Sequence, residues 1–237
     1  MSAAVEEILA ELQSLGRESY RQTMIRHGVQ EPIYGVSVED LKKIRKRVGM
    51  DHALALRLFD TGVSEAMYLA CLLADDDRMT QEDLQRWAAA AASPLHCECT
   101  VAWTAAGSRH GWELALQWID SPDETLADTG WATLGSLVAI TPDENLNTAE
   151  IDALLLRVRE TIAHAPNQVR RIMNGFIIAV GTCVPACTEQ ALRVGEAIGP
   201  ITVDKGETAC RIPSAPEAIR KAQERGTIGR KRKTAKC

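Results

Sequence analysis

The feature that most constrains this chain is the rhythm of its apolar residues. They recur at three- and four-residue intervals over short segments, and glycine, proline or a capping side chain interrupts each segment. Residues 3–15 show the pattern at the start: Val5, Ile8, Leu9, Leu12 and Leu15 share one face, with Glu6, Glu7 and Glu11 beside them, until Gly16. Helical segments are expected next at 17–27, after a Ser37 cap to Val48, and at 51–60, 64–74, 80–92, 94–107, 111–120 and 123–140. Four more are expected at 148–164, 167–181, 185–198 and 213–225, with short extended pieces at most between the last two. About a dozen helices of ~10–16 residues with short turns leave little chain for a sheet.

Composition agrees. Alanine and leucine dominate, aromatics make up 4% and β-branched runs are few, all of which favours helix. The helix–turn–helix rhythm, about 35–45 residues per pair, predicts an all-α, HEAT-like superhelical solenoid with a concave face; a compact irregular bundle is the alternative. The expected organisation is one helical domain over 1–226 and a basic tail over 227–237. No apolar run reaches the ~18–20 residues of a membrane span. The acidic, amphipathic N-terminus is unlike a signal peptide, so a cytosolic protein without membrane contact is expected. Seven cysteines without framework spacing suit reduced thiols.

Charge is distributed unevenly. The net charge is −5, yet residues 111–165 hold ten acidic against two basic side chains, while 217–237 hold eight basic against two acidic. Three groups are candidates for phosphate contact: Lys42, Lys43, Lys46 and Arg47 on one helix face; Arg170 and Arg171; and Arg230, Lys231, Arg232 and Lys233 in the tail. For the helix face a merely solvated surface is the plain alternative. The tail reads either as a disordered solubilising end or as a flexible clamp on a polyanion, with Gly226 and Gly229 supplying mobility, and a docked or anion-binding role is the favoured expectation.

Four of the five tryptophans, Trp103, Trp112, Trp118 and Trp131, fall between His96 and Ile140. Each alone reads as core, but their concentration suggests that one or two line a cleft. His96, Cys97 and Cys99, with Cys183, Cys187, Cys210 and Cys237 elsewhere, raise the question of zinc, but no compact knuckle surrounds them and no metal is expected. Glycine-rich phosphate loops and a serine nucleophile elbow are missing, and no cofactor is implied. Asn174, in a mid-helix Asn-Gly pair, is expected to hydrogen-bond a backbone group, with a role facing a ligand as the alternative.

Three segments together resemble the DNA alkylation repair family, the HEAT-like-repeat alkylpurine DNA glycosylases and their relatives. They are YRQTMIRHGVQEPIYGVSVEDLKKIRK (20–46), VAWTAAGSRHGWELALQWIDSPDETLADTGWATLGSLV (101–138), and RRIMNGFIIAVGTCV with the IGPITVDKGETACRIPSAPEAIRK and GTIGRKRKTAKC pieces that follow. The ending is similar to one divergent branch. The resemblance implies a solenoid that holds DNA on a basic concave face. In the active glycosylases a tryptophan-lined cleft and a carboxylate stabilise the cationic sugar formed as an alkylated purine leaves. The family's Trp-Asp-x-Val-Asp segment aligns here with Glu98-Cys99-Thr100-Val101-Ala102, so alanine stands in place of the catalytic aspartate. A basic residue of the cleft falls near Thr133 or Leu134, and a third cleft tryptophan at Phe176. Trp103, Trp131 and Phe176 are therefore the expected cleft aromatics, and Glu98 is the surviving candidate carboxylate. The expected function is DNA binding with the glycosylase chemistry in doubt; a non-enzymatic scaffold for a protein or another polyanion is the alternative.

Overall fold

The computed structural model describes residues 3–204 and 212–236. Among the described residues there is no strand, and the chain divides into two compact units. One runs to His110 and includes Lys236; the other spans Gly111–Ala235.

The first unit contains α1 (Ala3–Leu15), α2 (Glu18–Arg26), α3 (Val38–Val48), α4 (His52–Phe59), α5 (Ser64–Leu73), α6 (Gln81–Ala90) and α7 (Ala102–Gly107). Its centre is α5, SEAMYLACLL, in which all ten residues are buried. A helix apolar on every side has no solvent face to offer, and α3, α4 and α1 pack around it. Phe59 and Trp87 stack face to face, with centroids 4.1 Å apart. The one charged residue in α5, Glu65, is 5% exposed. Its Oε1 accepts from the Tyr34, Gly35 and Val36 N–H groups at 3.0, 2.6 and 3.1 Å. Three consecutive donors on one carboxylate set the turn that leads into α3. Gly35 completes that turn at φ +85, where a side chain would also strike the Arg17 carbonyl.

The expected regular helix over 94–107 differs in its first part. Residues Leu95–Val101 form a π-helical turn before α7 begins. Here the wider winding is accompanied by side chains that hold it from outside: His96 bonds both Ser93 and Ser64, and the Cys71 thiol lies 3.8 Å from the Cys99 carbonyl.

The second unit contains α8 (Gly111–Trp118), α9 (Glu124–Ile140), α10 (Thr148–Thr161), α11 (Asn167–Cys183), α12 (Thr188–Ile198) and α13 (Ala215–Glu224). Its core is the pairing of the two 17-residue helices, α9 and α11. Asp123 caps α9 through the Thr125 and Leu126 N–H groups, and Gly130 lets α8 approach to where an added Cβ would lie 3.0 Å from the Ala115 carbonyl oxygen. Asn174 Nδ2 donates to the Pro213 carbonyl at 3.0 Å, the backbone bond expected of it. The chain of 228–235 is ordered against this unit. Among the described residues no single helix is long and apolar enough to cross a membrane.

Candidate nucleic-acid interface

On α3 the cap fixes the charge pattern. Ser37 Oγ accepts from the Asp40 N–H at 3.2 Å and donates to the Asp40 carboxylate at 2.7 Å. That bond, with a second from Lys43, holds the Asp40 carboxyl down at about 2. Lys43 lies 3.1 Å from Glu39 and 3.0 Å from Asp40. Arg47 forks onto Glu11 of α1 at 2.9 and 2.5 Å, and the Glu11 carboxyl is lowered in consequence. Lys42 and Lys46 are exposed and have no ion-pair partner among the described residues. The face predicted from sequence therefore holds two bound and two available cations.

Arg170 of α11 serves the fold. Arg170 donates to the carbonyls of Ile162, Ala165 and Thr202 at 3.2, 3.0 and 3.0 Å, tying the end of the α10 segment to the start of α11. Arg171 Nε donates to Gln168 at 3.0 Å.

The tail differs from a mobile end. Gly229 N–H donates to the Thr182 carbonyl at 2.9 Å in the last turn of α11, and Arg232 N–H to the Ala139 carbonyl at 2.8 Å in the last turn of α9. Lys231 reaches inward to the Val138 carbonyl and to Asp143, both at 2.9 Å. The strap thus satisfies carbonyls that two helix ends leave open and places a cation at the negative end of a helix dipole. Ala235 is buried, and Lys236, counted with the first unit, pairs with Asp76 at 2.6 Å. Arg230, Arg232 and Lys233 remain exposed, with no ion-pair partner among the described residues. Lys221 and Arg225 are likewise exposed at the end of α13, just before the strap. The sequence reading passed over these two, although they contribute to the same basic run.

The cleft aromatics are all buried. Trp103, in the first unit, meets Tyr68 edge-on at 6.1 Å. Trp131 and Phe176, in the second, lie 5.3 Å apart, as expected of neighbours in one core. The Arg157 guanidinium covers the Trp131 ring at 5.9 Å and is held by the Ile119 carbonyl and Asp120. Trp131 also borders a cavity of about 330 Å³ between the α8–α9 and α10–α11 turns. Trp112 donates to Glu150 at 3.0 Å. Glu98 is half-buried in the π-helical turn, and Ala102 is fully buried at the start of α7.

Burial, helped by Asp152, pushes the Cys187 thiol up to about 11. Burial also pushes the His96 imidazole below its usual range. No three His, Cys, Asp or Glu side chains group as metal ligands among the described residues; Cys210 and Cys237 lie outside them.

The profile of the DNA alkylation repair enzyme family matches residues 8–221, nearly the whole chain. The chain belongs to that family. The uncharacterised proteins Lin0241 of Listeria innocua and Lmo0209 of Listeria monocytogenes are each 29% identical over 226 residues, covering 93% of this chain and 97% of theirs. A solved structure from a family described as related to the HEAT-like repeat DNA glycosylases, with affinity for branched DNA structures, is 30% identical, with a TM-score of 0.91 over 98% of this chain and 99% of that one. The fold of this family member is accordingly the HEAT-like helical repeat expected from its sequence rhythm.

Proposed function

We propose that this family member binds DNA, favours branched over linear forms, and does not excise alkylated purines by the family's chemistry. The observation that carries the reading is the likeness, over almost the full length, to the protein with affinity for branched DNA. The exposed cations supply a physical basis. Arg230, Arg232 and Lys233 stand on an anchored backbone, so a phosphate contact there does not have to order a loose tail. Lys42 and Lys46 form a second basic element on α3.

Against excision stands Ala102. A buried methyl group offers no charge to a developing oxocarbenium ion, and Trp131 and Phe176 are packed as core.

Fluorescence anisotropy with a four-way junction and a linear duplex of equal length tests the reading. Tighter binding to the junction is expected, with no release of 3-methyladenine or 7-methylguanine from alkylated DNA. Equal affinity for both DNAs contradicts the preference, and base release contradicts the loss of chemistry.

A further inference from the structure

The cavity of about 330 Å³ in the second unit plays no part in the DNA-binding reading. Ile119, Ala127, Val169 and Met173 give it an apolar floor, and all four are buried. At about 30 Å³ per water it has room for roughly ten waters, or for a ligand with about as many non-hydrogen atoms. That is the low end of the size range of small-molecule sites.

The charges around it do not cancel. The Arg157 guanidinium is held within the fold, by Asp120 at 2.6 Å and the Ile119 carbonyl at 3.0 Å. Glu124 is exposed, with no ion-pair partner among the described residues, and Glu160 lies 3.6 Å from Arg159. The starts of α9 and α11 also border the cavity, and a helix start is equivalent to about half a positive charge. Asp123 already caps α9, whereas Pro166 gives α11 no side-chain cap. Half a charge set against the Glu124 and Glu160 carboxylates leaves the lining negative. His164, exposed on the same lining, can donate to a ligand or accept from it.

The cavity and the strap occupy opposite ends of one helix pair. The strap bonds the last turns of α9 and α11, at the Ala139 and Thr182 carbonyls, while the cavity lies where the two helices begin. From Ala127 to Ala139, α9 runs about 18 Å at a rise of ~1.5 Å per residue. That exceeds the ~8 Å over which salt screens exposed charges under physiological conditions. An acidic lining repels phosphate, so a ligand held there does not compete with DNA at the strap.

We propose that this cavity is a binding site for a small organic amine. The apolar body, of about ten non-hydrogen atoms, rests on Ile119, Ala127, Val169 and Met173. The ammonium group is held by Glu124 and Glu160.

The site is tested without DNA, so its failure and that of the DNA reading are separate. The full chain is labelled with carbon-13 at its methionine methyl groups, and the Met173 resonance is assigned by its loss in Met173→Leu. That resonance is followed against 2-phenylethylamine, 2-phenylethanol and phenylacetate, which share an apolar body and differ in charge. A saturable shift is expected with the amine, at a dissociation constant of about 1 mM or lower. Binding should be about threefold to tenfold weaker for the alcohol, and more than about tenfold weaker for phenylacetate. Glu124→Gln combined with Glu160→Gln should remove the advantage of the amine and leave the alcohol unaffected. Ala127→Leu, which fills the cavity, should abolish binding of all three. If that variant fails to fold, the double glutamine variant, altered at two exposed positions, still decides. No saturable shift with the amine, equal affinity for amine and alcohol, an amine advantage kept in the double variant, or tightest binding of phenylacetate overturns the proposal.

Discussion

The α3 face and the C-terminal strap carry similar charge in sequence but present it differently. On α3, Lys43 is drawn to Glu39 and Asp40, and Arg47 to Glu11, so half of the cations already have anionic partners. On the strap it is mainly the backbone that is bonded: Gly229 and Arg232 give their N–H groups to helix-end carbonyls, and of the four cations at 230–233 it is Lys231 that turns its side chain inward. Arg230, Arg232 and Lys233 are left outward on a fixed path. Whether a cation can meet phosphate depends less on local charge density than on which part of its residue secures the fold.

The largest expected effect concerns what holds the α3 side in place. Glu65→Ala leaves three N–H groups without their carboxylate, and the variant should lose about 3 kcal/mol or more by urea denaturation. A loss under about 1 kcal/mol would mean that water replaces the carboxylate and the turn before α3 sets itself.

The next effect separates the two regions. Replacing Arg230, Arg232 and Lys233 together with alanine should weaken DNA binding by about 10- to 100-fold at low salt. Replacing Lys42 and Lys46 should weaken it by roughly threefold to tenfold, and replacing the paired Lys43 and Arg47 by about twofold or less. A reversed order in an anisotropy titration would show that pairing within the chain does not decide which cations reach DNA.

The smallest effect is one of pH. Asp40 is lowered in the folded protein from 3.8 to about 2, chiefly by Ser37 and then Lys43. The folded state therefore prefers the ionised form, so the contribution is complete above 3.8 and lost as pH falls through about 2. The stability difference between wild type and Asp40→Asn should hold steady down to about pH 4 and then shrink. A difference that persists unchanged at pH 2 would place the stabilisation in packing instead.

What could be read from sequence was what lies within one helical turn. Ser37 announced its cap, and the apolar rhythm gave the helices. Lys43 also had its partners three and four residues away, so its pairing was legible in principle. The rest depended on distant contacts. Glu11 is 36 residues from Arg47, Glu65 about 30 from the turn it holds, and Val138 is 93 from Lys231. No local pattern distinguishes a tail that docks on carbonyls from one that floats, and two glycines that suggested mobility instead form turns along the docked path. The Trp-rich stretch kept its aromatic core, but nothing local showed the π-helical turn at its start, because His96 is set by Ser64 from another helix.

The most direct test is the salt dependence of binding to a four-way junction, compared between wild type and the triple strap variant. If the strap cations meet phosphate, the slope of log affinity against log salt should be shallower in the variant by about three. An unchanged slope, with the variant folded, would show that Arg230, Arg232 and Lys233 touch no phosphate and would contradict the account.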